Sequence, residues 1–292
     1  MRNKTFDYED VFMGVREKKP STYLRRFRDD YRIYSLVKTI KTKTGTILDI
    51  GCGGGMLTES LPYYYPKAKI YGCDISKTAI KYAQKSGSGK VNYGVIRNKK
   101  LPYKDNFFDV CICFDVLEHI PDANFFLKEV KRVLKKNGKF FLIVPCEGEP
   151  FTYTWLFQKV DRLKDLTYRY FGHIHPEFTH KSVGELLEKH GFSPQKKAYS
   201  EHVFYQLSHL LIFFLPKLLL EVVFKKKASE YTDSGLVRSP KKKTDLLIII
   251  RNFWFIFFNF MMKYPMYSET VLLRKISPTA WKMHILVTKK GN

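Results

Sequence analysis

The run Leu48-Asp49-Ile50-Gly51-Cys52-Gly53-Gly54-Gly55 constrains this chain more than any other stretch. An apolar segment ends abruptly in glycines, which turn sharply and let a ligand approach the backbone where a Cβ would block it. The surrounding pattern makes this a strand-to-helix turn. At the carboxyl end of a strand, such a turn lies where open α/β sheets bind ligands.

From Thr46 to Val144, short apolar runs alternate with helical patterns. Strands are predicted over Thr46–Ile50, Lys69–Cys73, Val91–Val95, Asp109–Phe114 and Lys139–Val144, with helices near 55–64, 76–85 and 122–135. This alternation predicts a parallel sheet with helices on both faces. A helix follows over 181–190, with Gly191 placed to cap it, then strands near Ser193–Tyr199 and Trp281–Lys290. In the polar segment 1–44, Tyr23, Phe27, Tyr31, Tyr34 and Val37 recur at helical spacing, as in a helix packed beside the sheet or closing over a ligand.

Glycine-rich turns serve several ligands, and spacing separates them. A dinucleotide site of the form G-x-G-x-x-G would need glycine at 51, 53 and 56, but position 56 is Met. The phosphate-cradling G-x-x-x-x-G-K-[ST] has no match. What stands is an acidic residue followed by Gly51, Gly53 and Gly55, and a next strand ending in Asp74. A carboxylate there can take both hydroxyls of a ribose. An adenosine ligand without a pyrophosphate fits these groups.

LDIGCGGG, YGCDIS, LPYKDNFFDVCICFDVLEHIPD and LKEVKRVLKKNGKFFLIVP, in that order, resemble the successive motifs of class I S-adenosylmethionine-dependent methyltransferases. Within that family the chain is most similar to the broad group that includes the ubiquinone-biosynthesis O-methyltransferases. The resemblance covers about residues 44–200 and returns in the last strand. It implies an α/β fold: a Rossmann-like, seven-stranded, mostly parallel sheet flanked by helices, with a helical insertion before the last strand. The corresponding division is an N-terminal helical segment over 1–44, a cofactor-binding domain over 45–201, an apolar helical insertion over 202–279 and a closing strand within 280–292. The cofactor implied is S-adenosyl-L-methionine. Asp49, Gly51, Cys52, Gly53 and Gly55 would hold its methionine end, Asp74 its ribose, and Ile75 would pack on adenine. Many relatives place an Asp after the third strand against the adenine amino group; here Arg97-Asn98 stands there, with Asn98 the candidate. Asp115 would lie beside the transferable methyl.

A sulfonium methyl is already activated, so catalysis needs an aligned nucleophile in a dry site. A base is needed only if the acceptor must lose a proton. His119, His173 and His175 are the candidates, since an imidazole titrates near neutrality; the alternative is that they fasten a helix start and a loop. Some quinone O-methyltransferases that the chain resembles hold a divalent metal with acid-x-x-Glu-His. Asp115, Glu118 and His119 match that short pattern, but no metal is assigned from it. The Asn/Asp-Pro-Pro-aromatic run common in base N-methylation is missing after the fourth strand, which favours an oxygen or carbon acceptor.

The insertion holds two apolar segments, Val203–Phe224 and Leu246–Met262, joined by a linker rich in lysine. The second is shorter than the roughly 20 residues of a spanning helix and contains Arg251; the first contains His209, Pro216, Lys217 and Glu221. A net charge of +23 favours anionic partners. Apolar faces entering the acyl boundary, with lysines at anionic head groups, predict a peripheral protein at the cytoplasmic face of a membrane, acting on a hydrophobic small molecule or lipid. A soluble lid or a dimer interface would bury the same residues. An RNA methyltransferase, suggested by charge, and a non-catalytic cofactor-binding membrane adaptor are the competing readings; nucleic acid is disfavoured because no RNA-binding module accompanies the basic linker. The five cysteines form no C-x-x-C pair and the N-terminus MRNKTFDYEDVF has no signal-peptide core, as expected of a chain kept in a reducing compartment.

Overall fold

The computed structural model describes residues 31–42, 44–161, 163–164, 168, 172–211, 257, 261 and 265–290. Its elements are α1 (Tyr31–Thr39), β1 (Thr44–Ile50), α2 (Leu61–Tyr64), β2 (Lys67–Asp74), α3 (Lys77–Ser86), β3 (Val91–Val95) and β4 (Phe108–Phe114). They continue with α4 (Ala123–Val133), β5 (Leu134–Pro145), α5 (Tyr153–Gln158), α6 (His180–Lys189), β6 (Phe192–Ser200), α7 (Val203–His209) and β7 (Lys282–Lys289). The seven strands form one sheet in the order β3-β2-β1-β4-β5-β7-β6. All pairings are parallel except those of β7, which runs antiparallel between β5 and β6. This is the class I methyltransferase fold that the sequence predicts.

The strand order reverses between β1 and β4, where doubly wound sheets open a crevice for ligands. Register keeps the crevice level: Ile50 pairs with Cys73 of β2 and with Cys113 of β4. The residues that follow, Gly51, Asp74 and Asp115, therefore emerge at one edge.

Period-two alternation divides the core between the faces. Leu48, Ile50, Cys111, Cys113 and Leu142 pack with Leu127, Val130 and Val133 of α4. Ile47, Ile70, Val110, Ile112 and Ile143 pack with Ile33 and Leu36 of α1 and Leu61 of α2. Each such fully buried aliphatic side chain contributes about 1.5–3 kcal/mol. Helix starts are fixed by their caps: Ser76 accepts from Ala79 N at 3.0 Å, Asp122 from Phe125 N at 2.9 Å, and Thr179 forms a capping box with Ser182.

Three local expectations are corrected. The helix predicted over 55–64 is only a 3-10 turn at Thr58–Ser60 followed by α2, because glycines disfavour helix before it and Pro62 forces a new start. The helix predicted to 135 ends at Val133, and β5 begins at once. In α1 the buried apolar face is Ile33 and Leu36, continued by Ile40 just past its end, while Tyr31, Tyr34 and Val37 are half-buried; Tyr23 and Phe27 lie outside the described residues. Gly191 caps α6 as expected, with φ +80° and its N–H donated to Glu188 O at 2.9 Å.

Of the predicted insertion, α7 and a helix over 265–272 are described, and they pack together: Glu269 accepts from Phe204 N at 2.5 Å, and Ser208 Oγ lies 3.3 Å from Met266 Sδ. The lysine-rich linker and most of both apolar segments lie outside the described residues. Among the described residues, no helix is long and apolar enough to cross a membrane.

Candidate functional site

The glycine turn leaves β1 at Ile50 and folds back on β2, with Gly51 N and Cys52 N both donating to Cys73 O, at 2.8 and 3.1 Å. Gly51 has φ +77°, and a Cβ there would collide with the Val116 side chain. Only glycine allows the β4 loop to close on this turn. Gly53, at φ +51°, is the opposite case, since a Cβ built on it meets no atom within 4 Å. Open space over a backbone turn is what a bound ligand would fill. Gly53 N donates to Asp74 Oδ2 at 2.8 Å, and Ser76 N to Asp74 Oδ1 at 2.9 Å, so the carboxylate at the end of β2 faces the turn.

Asp49 sits beneath the same turn, 3% exposed, accepting from Thr58 Oγ1 at 2.6 Å. Burial pushes its pKa up to about 7, against the opposing pull of the Thr58 hydrogen bond and the Arg32 charge. A buried carboxylate so poorly compensated is a place for a cationic ligand group. Cys52 lines the turn with a thiol that burial pushes well up, which makes it inert rather than nucleophilic. Ile75 is 57% exposed at the open end of β2. Ile96 N donates to Asp74 O at 2.8 Å, so the turn carrying Asn98 (φ +51°, exposed) starts beside that end. The sequence-predicted cofactor residues on β1 and β2 thus share one rim.

Asp115, expected beside the transferable methyl, sits at the end of β4 in an ion-pair cluster. It has φ +54°, and its carboxylate is held by Arg32 Nη1 of α1 at 3.2 Å and by Lys282 Nζ of β7 at 2.9 Å. Burial would raise its pKa, but Lys282 and Arg32 outweigh that and hold it at about 2. Lys282 also pairs with Glu201 Oε1 at 3.1 Å. Sequence reading missed Arg32, Lys282 and Glu201. The available signal was a lysine within the apolar alternation of β7.

The histidines separate. His119 and His173 lie with rings 5.0 Å apart beside Glu118. His119 Nδ1 faces Gly172 O at 3.1 Å and His173 Nδ1 faces Glu147 Oε1 at 2.5 Å, which assigns the ring protons to Nδ1 and leaves Nε2 as the basic nitrogen of each. Both Nε2 atoms approach Glu118 Oε1, at 3.9 and 4.0 Å. Glu118 is buried, and neither of its oxygens has a hydrogen-bond partner among the described residues. Burial, then the nearby Asp115 charge, pushes its pKa well up, while burial lowers His119 to about 4. One carboxylate and two imidazoles, with ligand atoms within 4.8 Å of one another, suit a divalent cation, and Glu147 would orient His173 from behind. The acid-x-x-Glu-His pattern is therefore realised with His173 in place of Asp115. His175 leaves the set of candidate bases: Nε2 meets Ile120 O at 2.8 Å, Nδ1 meets Glu177 at 2.9 Å, and the ring stacks on Phe178, so it ties the loop down.

Comparison with known proteins sharpens this geometry. Residues 48–142, which carry the glycine turn, Asp74, Asp115 and Glu118, match the family described as "Methyltransferase domain". Over that stretch, about a third of its length, the chain is similar to a methyltransferase domain. It is 39% identical over 116 residues to the ubiquinone biosynthesis O-methyltransferase of Pelagibacter ubique, covering 39% of this chain and 46% of that enzyme. It is 30% identical over 127 residues to the enzyme so named in Coxiella burnetii, covering 42% and 53%. The chain thus spans about half the length of these curated relatives. A phosphoethanolamine N-methyltransferase of Haemonchus contortus, solved with S-adenosyl-L-methionine, superposes with TM-score 0.53 at 15% identity, over 89% of this chain and 52% of that one. The cyclase SpnF superposes at TM-score 0.52 and 16% identity, over 89% and 81%, so the shared fold does not by itself name a reaction.

Proposed function

We propose that this protein transfers a methyl group from S-adenosyl-L-methionine to an oxygen of a hydrophobic, membrane-borne acceptor. One observation carries the donor: Asp49 under the turn and Asp74 at the end of β2 flank an open backbone surface at Gly53. Asp49 suits the donor's ammonium and sulfonium charges, Asp74 its ribose hydroxyls, and Ile75 its adenine. A dinucleotide would need Gly in place of Met56.

Three features support the acceptor reading. The relatives matched are named as O-methyltransferases of ubiquinone biosynthesis. Phe204 and Leu207 of α7, with Val271 and Leu272 of the helix packed against it, expose apolar surface, Leu272 at 78%. The net charge of +23 suits an anionic head-group plane, where each nearby lysine or arginine is worth about 1 kcal/mol. Glu118, His119 and His173 fit a divalent cation, which when bound would polarise an acceptor oxygen. The protein's own groups orient the donor, close the β4 loop over it and exclude water.

The test mixes the protein with donor carrying a tritiated methyl group and a membrane lipid extract. Label in an organic-extractable ether is expected. Label only in added RNA would replace this reading with the one that charge alone suggests.

A further inference from the structure

We propose that Glu201 is the catalytic base of the methyl transfer and Lys282 the cation that receives the acceptor oxygen, so that the acceptor is a hydroxyl compound. This rests on the donor reading above and adds the chemistry of the second substrate.

Asp115 and Glu201 are two of the eight non-glycine residues at positive φ among the described residues, at +54° and +59°. Such a conformation is strained and persists where the surroundings fix it, often at functional sites. Here both place a carboxylate on one lysine: Lys282 Nζ lies 2.9 Å from Asp115 Oδ1 and 3.1 Å from Glu201 Oε1. Lys282 is set by the sheet itself, pairing with Pro145 at the carboxyl end of β5 and with Ser200 of β6. The Glu201 backbone is pinned, its carbonyl accepting from Trp281 N at 3.1 Å and Gln206 Nε2 at 2.9 Å.

The two carboxylates are not equivalent. Asp115 also has Arg32, whereas Glu201 Oε2 is buried with no hydrogen-bond partner among the described residues. An acceptor hydroxyl donating to Oε2 would satisfy it, with its oxygen beside Lys282 Nζ. The quartet borders the donor turn, since Val116, next to Asp115, packs on Gly51 and the Arg32 charge reaches Asp49. The histidines belong to a separate group, their Nε2 atoms facing Glu118 at 3.9 and 4.0 Å.

In the step, the acceptor O–H gives its proton to Glu201 Oε2 as the oxygen forms a bond to the methyl carbon. The sulfur–methyl bond breaks with its electron pair left on sulfur, which cancels the sulfonium charge. Lys282 offsets the negative charge developing on oxygen in a site shielded from water. The groups facing Glu201 are Lys282 from β7, Asp115 after β4, Arg32 from α1, Tyr205 from α7 and Tyr153 from α5. Burial keeps both tyrosines as neutral phenols, and Lys282 stays charged because Asp115 and Glu201 outweigh its burial. Glu201 is then the member of this set that titrates near neutrality, raised to about 7 by burial.

The experiment uses the full chain, labelled donor, and 4-decylcatechol in detergent micelles as acceptor, with donor binding followed by calorimetry. Wild-type kcat should rise about tenfold per pH unit up to about 7 and then level. E201Q should lose kcat by about a hundredfold or more, with KM and donor heat little changed, and its pH dependence should flatten. E201D should restore part of the rate. Wild-type kcat in E201Q, an unchanged pH profile in that variant, or wild type that binds donor yet leaves the catechol unmethylated would each overturn the proposal. If E201Q does not fold, the wild-type profile and E201D decide. Absence of donor heat in wild type defeats the donor reading instead.

Discussion

Asp49→Asn should make the fold more stable and the donor site worse. Asp49 is 3% exposed, and its pKa is raised to about 7 from the ~3.9 of an unfolded chain. Below the unfolded value the carboxyl is protonated in both states and costs nothing. As pH climbs, the unfolded chain ionises first and stability drains away, until the loss levels above the folded value. Three pKa units amount to about 4 kcal/mol at pH 8, but only about 1.5 kcal/mol at pH 5. Asparagine keeps an acceptor for Thr58 without the charge. Urea unfolding at pH 8 should show a gain of about 2–4 kcal/mol, shrinking by more than half at pH 5. The same substitution should weaken S-adenosylmethionine binding at least about tenfold, because the cation loses its counter-charge. Wild-type affinity for the donor should also fall as pH drops below about 7, where Asp49 takes up a proton. A variant less stable than wild type at pH 8, or gaining equally at both pH values, would refute this account of Asp49.

Gly51→Ala must hold φ +77° and displace Val116; strain and overpacking together should cost about 2–5 kcal/mol in urea unfolding, whereas Gly53→Ala, with nothing near its Cβ, should fold and lose donor affinity. Asp115→Asn strips one carboxylate from Arg32 and Lys282 and should destabilise by about 3–5 kcal/mol, seen as a lower urea midpoint. Zinc or manganese should raise the melting temperature of wild type and not of Glu118→Gln, if Glu118, His119 and His173 form one cation site. Phe204→Glu with Leu272→Glu should reduce co-sedimentation with phosphatidylserine vesicles while leaving donor binding intact.

Much of this was legible because it depends on local pattern. Glycine spacing at 51–55, an acid at the end of two adjacent strands, and period-two alternation through β1, β4 and β5 are sequence properties, and they mark the donor rim and the sheet. Cys111 and Cys113 share a buried face because strand geometry requires it. The acceptor side was not legible. Arg32, Asp115, Glu201 and Lys282 meet across 250 residues of chain, and a left-handed backbone at Asp115 and Glu201 leaves no mark in residue identity. The pairing of His173 with Glu118 and Glu147 likewise depends on a loop folding back on β4 and β5; spacing alone pointed to Asp115. The face of α1 was misread because an aromatic stripe at helical spacing was taken for the core side, whereas Ile33 and Leu36 are buried and Tyr31, Tyr34 and Val37 only partly so.

The most direct test is calorimetric titration of the protein with S-adenosylmethionine and, separately, with a pyridine dinucleotide. Saturable one-site binding of the first, weakened strongly by Asp74→Ala, is predicted. Binding of the dinucleotide with no heat from the methyl donor would contradict the central claim that this glycine turn is a methyl-donor site.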